Sequence, residues 1–197
     1  PMSHLATYLS GQTPYRLALG IVRGNPEFTF TSPMTGMAID LPAPLKKAAE
    51  LTWPLRAESR LANAGEGEPL RDTLAIELGN VIQAQYQRDL SRDAASVLRG
   101  SIAVLDSLPP QPDRGVHALL NVPAIDVEAW QAVVDRLQGA APDLAKALDL
   151  GYLPRTVALR AQVFTAGGRK LTRLVAGFSQ NVTDAAWRGN VDADQLG

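Results

Sequence analysis

Apolar and polar residues alternate along much of this chain. In Tyr15–Val22, Leu17, Leu19 and Ile21 fall on one side. Phe28 and Phe30 alternate with Thr29 and Thr31, and Met37, Ile39 and Leu41 alternate with Ala38 and Asp40. Leu74, Ile76 and Leu78 form another such run, followed after Gly79-Asn80 by Ile82, Ala84 and Tyr86 between Gln83, Gln85 and Gln87. A period of two marks strands with one face buried and one face wet. The Gly-Asn junction between two such runs reads as a hairpin. Leu98–Leu105 and Gly115–Val122 are further strands, and Thr156–Thr165 and Lys170–Ser179 form a hairpin about Ala166-Gly167-Gly168-Arg169. Ala186–Ala193 continues it, with Trp187, Val191 and Ala193 on one side.

One stretch has a different period. Val127, Trp130, Val133, Val134 and Leu137 are spaced to share one face of a helix. Asp126 suits its N-cap, Glu128 its first turn and Gly139 its C′ position. Pro142 then opens a second short helix through Leu148. This helical pair, an insertion over 126–149, should pack onto the sheet through Trp130, Val133, Val134 and Leu137. The chain is therefore expected to be mainly β (α+β), an antiparallel meander interrupted by a short helical pair. Loops fall at Asn63–Glu68 and at Leu108–Arg114. The second, with Pro109-Pro110-Gln111-Pro112, is a possible sub-boundary near 108–114. Each half is mostly open sheet that needs a partner face, so 1–197 is taken as a single segment.

Composition narrows the function classes. Of 197 residues, 46% are hydrophobic and 20% charged, which is ordinary for a folded protein. A net charge of −1 lacks the basic excess of a nucleic-acid binder. With no cysteine, disulfides, thiolate metal sites and cysteine nucleophiles are excluded. No apolar run reaches the twenty or so residues of a membrane span, since Arg160 and Arg173 interrupt the longest ones. The start Pro1-Met2-Ser3-His4 has no signal-peptide pattern, and the chain reads as part of something longer.

Catalytic patterns are missing. His4 and His117 are the only histidines; His117 reads as a strand-face residue rather than a metal ligand. No nucleophile elbow surrounds a serine, and Ser101 sits inside an alternating run. Gly65-Glu66-Gly67-Glu68 puts acid where a phosphate would bind, and Gly167-Gly168-Arg169-Lys170 joins two strands rather than opening a helix. Asp192 and Asp194 read as a solvated edge. Trp53, Trp130 and Trp187 are expected in core packing. No enzyme, cofactor or metal is expected; what remains is a binding, structural or transport module working through a sheet face.

Several motifs occur in a recognisable order. Gly36-Met37-Ala38-Ile39-Asp40-Leu41-Pro42-Ala43-Pro44-Leu45 is followed by Lys46-Lys47-Ala48 and then Trp53-Pro54-Leu55-Arg56. Upstream stands Tyr8-Leu9-Ser10-Gly11-Gln12-Thr13-Pro14-Tyr15-Arg16; downstream come Asp126-Val127-Glu128-Ala129-Trp130 and Gly168-Arg169-Lys170-Leu171 through Trp187. This series resembles the middle of the YhdP family of AsmA-like envelope proteins, with Lys46 where that family usually has Gly. The resemblance implies a periplasmic segment of a protein anchored in the inner membrane of Gram-negative bacteria by an N-terminal helix. It implies a long, curved, taco-like antiparallel sheet with an apolar lining, implicated in phospholipid transport to the outer membrane and in the barrier there. Phospholipid is then the expected cargo, with neighbouring segments of the same chain as partners. The lipid-groove candidates are Leu17, Leu19, Phe28, Phe30, Ile39, Leu74, Ile76, Val157, Leu159 and Val163. The alternative is a structural spacer or interaction scaffold in which the same residues form a closed core.

Overall fold

The alternating runs build strands wherever they occur. The computed structural model describes residues 7–22, 24–62, 68–91, 94–137, 150–181 and 186–194. In chain order the elements are β1 (Leu9–Gly11), β2 (Arg16–Val22), β3 (Asn25–Ser32), β4 (Met37–Ile39), β5 (Leu55–Leu61) and β6 (Arg71–Leu78). Then follow β7 (Ile82–Asp89), β8 (Ser96–Val104), β9 (Gly115–Asp126), α1 (Val127–Leu137), β10 (Thr156–Ala166), β11 (Arg169–Gln180) and β12 (Trp187–Asp192). Ten strands form one sheet in the order β12-β11-β10-β9-β8-β7-β6-β5-β3-β2, while β1 and β4 pair separately. The protein is mainly β, as the alternation requires.

Most neighbours are antiparallel, but β8–β9 and β9–β10 are parallel, which corrects the simple meander. The physical reason lies in the connections. Extended, residues 105–114 reach about 33 Å, enough to return along the nine-residue β8 and start β9 in the same direction. The Pro-rich loop is thus a crossover between neighbours of one sheet, and Gln111 lies against Gln85, donating to its carbonyl at 3.3 Å. Between β9 and β10 the helical stretch supplies the return pass, as parallel neighbours need.

Asp126 caps α1 as the sequence suggests, its Oδ1 accepting from the Ala129 amide at 2.9 Å. Val133 is buried, Trp130 half-buried, and Val134 faces solvent at 47% exposure, so the helix presses on the protein through a narrower stripe than its spacing implies. Glu128 accepts from the Gly167 amide at the β10–β11 turn. One helix is present among the described residues. The second helix expected over 142–148, Gly139, His4 and the loop from Asn63 through Gly67 lie outside them.

The turns follow local chemistry. Ala166 registers with Arg169, leaving a two-residue turn in which Gly167 and Gly168 have φ of 56° and 71°. Two positive φ angles define the turn type that matches strand twist and favours glycine. β6 and β7 form the hairpin expected at Gly79-Asn80, with Leu78 opposite Ile82.

Candidate functional site

Register turns the separate alternating runs into one surface. Paired residues in adjacent strands project to the same side. Leu17 lies beside Phe30, and the row continues through Ala57, Ile76, Ala84, Ile102, Ala118, Val157 and Phe178 to Gly189. It crosses all ten strands without a polar side chain. One residue along, the row is Ala18, Thr29, Glu58, Ala75, Gln85, Ser101, His117, Thr156, Ser179 and Arg188, on the other face. At about 4.8 Å per strand, the apolar row is roughly 43 Å long.

Nine of the ten groove candidates belong to the strands of this sheet. Leu17, Leu19, Phe28, Phe30, Leu74 and Ile76 lie together on the apolar face at the β2 end. Val157 and Leu159 join the same face beyond β9, and Val163 registers with Ala124 and Thr172 further along. Ile39 is the exception. It pairs with Leu9 in the small β1–β4 sheet, is 7% exposed, and does not join the row. Sequence reading missed Ile102, Ala118, Leu120, Val122 and Phe178 as members of the face. Their alternation was the available signal, but only the register shows that the face is continuous.

Exposure varies along the face. Leu17, Leu19 and Ile21 are 51%, 73% and 80% exposed on the edge strand β2. Phe28 and Phe30 are half-buried, and Tyr15 stacks on Phe30 with ring centres 5.7 Å apart. The middle is filled. Leu74, Ala84, Tyr86 and Val116 form a buried cluster onto which Tyr152 packs, edge-on to Tyr86 at 5.4 Å. The Tyr86 ring also crosses Gly100, where an added Cβ would lie 2.6 Å from it. A second cluster joins Val122, Leu159, Ala161, Leu174, Ala176 and Ala193. Trp187, on the far edge strand β12, is 51% exposed. The core placement expected for that tryptophan is therefore corrected, because β12 has a neighbour on one side only. Trp53 and Trp130 are half-buried.

One end of the apolar face is polar and buried. Asp72, 1% exposed, receives Arg88 Nε at 2.9 Å and Ser59 Oγ at 2.6 Å. Arg88 Nη1 donates to the Tyr152 hydroxyl at 3.1 Å. Burial works against the Arg88 charge, yet hydrogen bonds to Asp72 and Tyr152 hold its pKa above the ordinary arginine value. The Tyr86 hydroxyl is pushed up by burial and by the neighbouring Tyr152.

The face opposite the apolar row carries mostly polar side chains. Ser101 and His117 are side by side in β8 and β9, but the Ser101 hydroxyl is fully buried and has no hydrogen-bond partner. No group of three potential metal-binding residues occurs among the described residues. Gln83, Gln85 and Gln87 take this face, as the alternation predicts. At its β2 end a cleft of about 1050 Å³ is lined by Tyr15, Arg16, Trp53, Arg56 and Glu77 among others. No helix among the described residues is long and apolar enough to cross a membrane.

The fold is that of a broad, mostly antiparallel sheet with a continuous apolar row on one side. The sequence profile of the YhdP protein family matches residues 2–197, and the chain belongs to that family. No curated protein and no solved structure gives a significant match.

Proposed function

We propose that this chain is a non-enzymatic segment of a cell-envelope protein that shields phospholipid tails on their way between the inner and outer membranes. In this reading the segment is periplasmic, the whole protein is held in the inner membrane, and the sheet curves into a taco-like groove. The observation that carries the reading is the uninterrupted apolar row from Leu17 to Phe178. Each CH₂ kept from water gains about 0.8 kcal/mol, so such a row suits acyl chains and requires no chemistry. The polar side chains opposite, among them Gln83, Gln85 and Gln87, suit that side to contact with water or with polar partners.

The test is photocrosslinking in cells, with probes at Leu17, Leu19 and Ile76 of the full-length protein and controls at Gln83, Gln85 and Gln87. Phospholipid adducts on the first set alone support the reading. Equal labelling of both faces, or no adduct, overturns it. A second reading, a structural spacer or scaffold, is favoured by one observation: Tyr152 already fills the face over Leu74, Tyr86 and Val116. It predicts that probes at Leu74 and Tyr86 crosslink only to protein.

A further inference from the structure

We propose that Arg88 binds the phosphate of a phospholipid on the apolar face, and that Tyr152 is a gate that holds this place until the lipid displaces it. The inference rests on the phospholipid reading above and supplies its headgroup contact. Arg88 stands two residues beyond Tyr86 in β7 and pairs across to Asp72 in β6, so both charges belong to the apolar side. Asp72 accepts from Arg88 Nε and Nη2, and Arg88 Nη1 is left to the Tyr152 hydroxyl at 3.1 Å. These residues lie on interior strands or in the stretch before β10, so the edges of the sheet do not enter.

Tyr152 occupies the site as a lipid would. Its ring lies on the cluster of Leu74, Tyr86 and Val116, where an acyl chain would run. Its hydroxyl oxygen meets the guanidinium, where a phosphate oxygen would sit. The phosphodiester is the better acceptor, because an ionised partner roughly doubles the strength of a hydrogen bond. The main chain on either side of Tyr152 is tied down. Val97 N–H donates to the Leu150 carbonyl at 2.8 Å, and Arg155 N–H to the Val116 carbonyl at 2.9 Å. Even a Cβ added to Gly151 would lie 3.2 Å from the Val97 oxygen, so this backbone packs closely on β8. The half-buried Tyr152 side chain is the part that can leave. Rotating it outward frees Arg88 Nη1 and uncovers the middle of the row, where Ile76 and Ile102 pack against the same cluster. Lipid then passes from the β2 end towards Val157 and Phe178 with its phosphate on Arg88.

The test is phospholipid photocrosslinking in cells with the full-length protein, comparing a probe at Leu17, before Tyr152, with one at Phe178, beyond it. Tyr152→Phe keeps the ring and drops the latch, so adducts at Phe178 should rise about fivefold while those at Leu17 stay level. Arg88→Met with Asp72→Leu removes the latch and the phosphate donor together, and adducts at Phe178 should fall at least about tenfold. A double variant that labels Phe178 as well as the wild type does, or better, makes Arg88 a latch only and overturns the proposal. So does a Tyr152→Phe protein in which the Phe178 adducts do not rise. Should the double variant lose its Leu17 adducts as well, the sheet itself is damaged and Tyr152→Phe decides alone. On purified full-length protein with phosphatidylglycerol vesicles, excess inorganic phosphate should leave the Phe178 adducts in place. Their loss would assign Arg88 to free phosphate and overturns the proposal. Adducts at Leu17 with none at Phe178 in any variant overturn this inference alone. No adduct at either position in the wild type overturns the phospholipid reading, and this inference with it.

Discussion

Arg88 and Asp72 form a two-pronged ion pair at the end of a sheet face that is otherwise apolar, with Arg88 Nε 2.9 Å from Asp72 Oδ1. The Asp72 side chain is 1% exposed and that of Arg88 14%. Ser59 satisfies Asp72 further, and Tyr152 satisfies Arg88. The pair therefore ties β6 and β7 to the stretch that returns from α1 to β10.

Breaking this pair on one side leaves a buried charge without its partner. Asp72→Ala should cost about 3–5 kcal/mol in urea unfolding, whereas Asp72→Leu with Arg88→Met should recover most of that loss. A single-substitution cost below about 1 kcal/mol would show that water reaches Arg88 freely, and would remove the pair from the account of stability.

Period-two alternation was legible from sequence because apolar side chains recur on one side of the sheet from strand to strand, even on the exposed edge strand β2, and it located nearly every strand of the large sheet. Alternation is the same in parallel and antiparallel pairs, so it could not reveal the reversals at β8–β9 and β9–β10. Those depend on the length of the stretch from 105 to 114 and on the extra pass made by α1. Asp72 and Lys47 were illegible for a different reason, since a charged residue reads as surface by default. Lys47 is 2% exposed, and its ammonium donates to the carbonyls of Met34, Met37 and Ala48 at 2.7, 2.6 and 3.1 Å. Its three donors match three carbonyls brought together by the fold around β4, which no local pattern announces. Lys46 beside it is an ordinary surface residue, 3.5 Å from Asp40. Among the groove candidates, Ile39 shows the limit of periodicity, which finds a strand without saying which sheet it joins.

Alkaline pH should weaken the middle of the face. The Tyr86 hydroxyl is raised above its ordinary value by burial first and by Tyr152 second. A raised pKa keeps the folded hydroxyl neutral where the unfolded one ionises. Its stabilising contribution is thus complete below the ordinary value near 10 and is lost as pH rises through the folded value. Urea midpoints measured between about pH 9 and 11 should fall more steeply for the wild type than for Tyr86→Phe. Parallel slopes in the two proteins would refute this.

Trp130 tests how firmly α1 is held. Its indole Nε1–H donates to the Ala43 carbonyl at 3.0 Å, joining α1 to the loop after β4, while the ring is only half-buried. Trp130→Ala should therefore cost about 1–2 kcal/mol, less than the 3–5 kcal/mol of a fully buried ring. Trp130→Phe keeps the apolar ring and should lose only the hydrogen bond, about 1 kcal/mol. A Trp130→Ala loss above about 3 kcal/mol would mean that α1 is a core element.

The apolar face should behave as two regions with opposite responses to the same kind of substitution. Leu19 is 73% exposed and Leu159 is 7% exposed, yet both side chains project from the same side of one sheet. Truncating a buried leucine removes transfer energy and leaves a cavity, so Leu159→Ala should cost about 2–5 kcal/mol. Leu19→Ser removes a side chain that is mostly in water and should change stability by less than about 0.5 kcal/mol. A closed core would make both substitutions costly, because each leucine would fill space against a neighbour. A face that is filled at its centre and available at the β2 end separates stability from binding. In that case Leu19→Ser leaves the unfolding midpoint in place and abolishes lipid adducts from a probe at Leu17, while Leu159→Ala lowers the midpoint first. Equal midpoints and undiminished lipid labelling in Leu19→Ser would take the β2 end out of the lipid path.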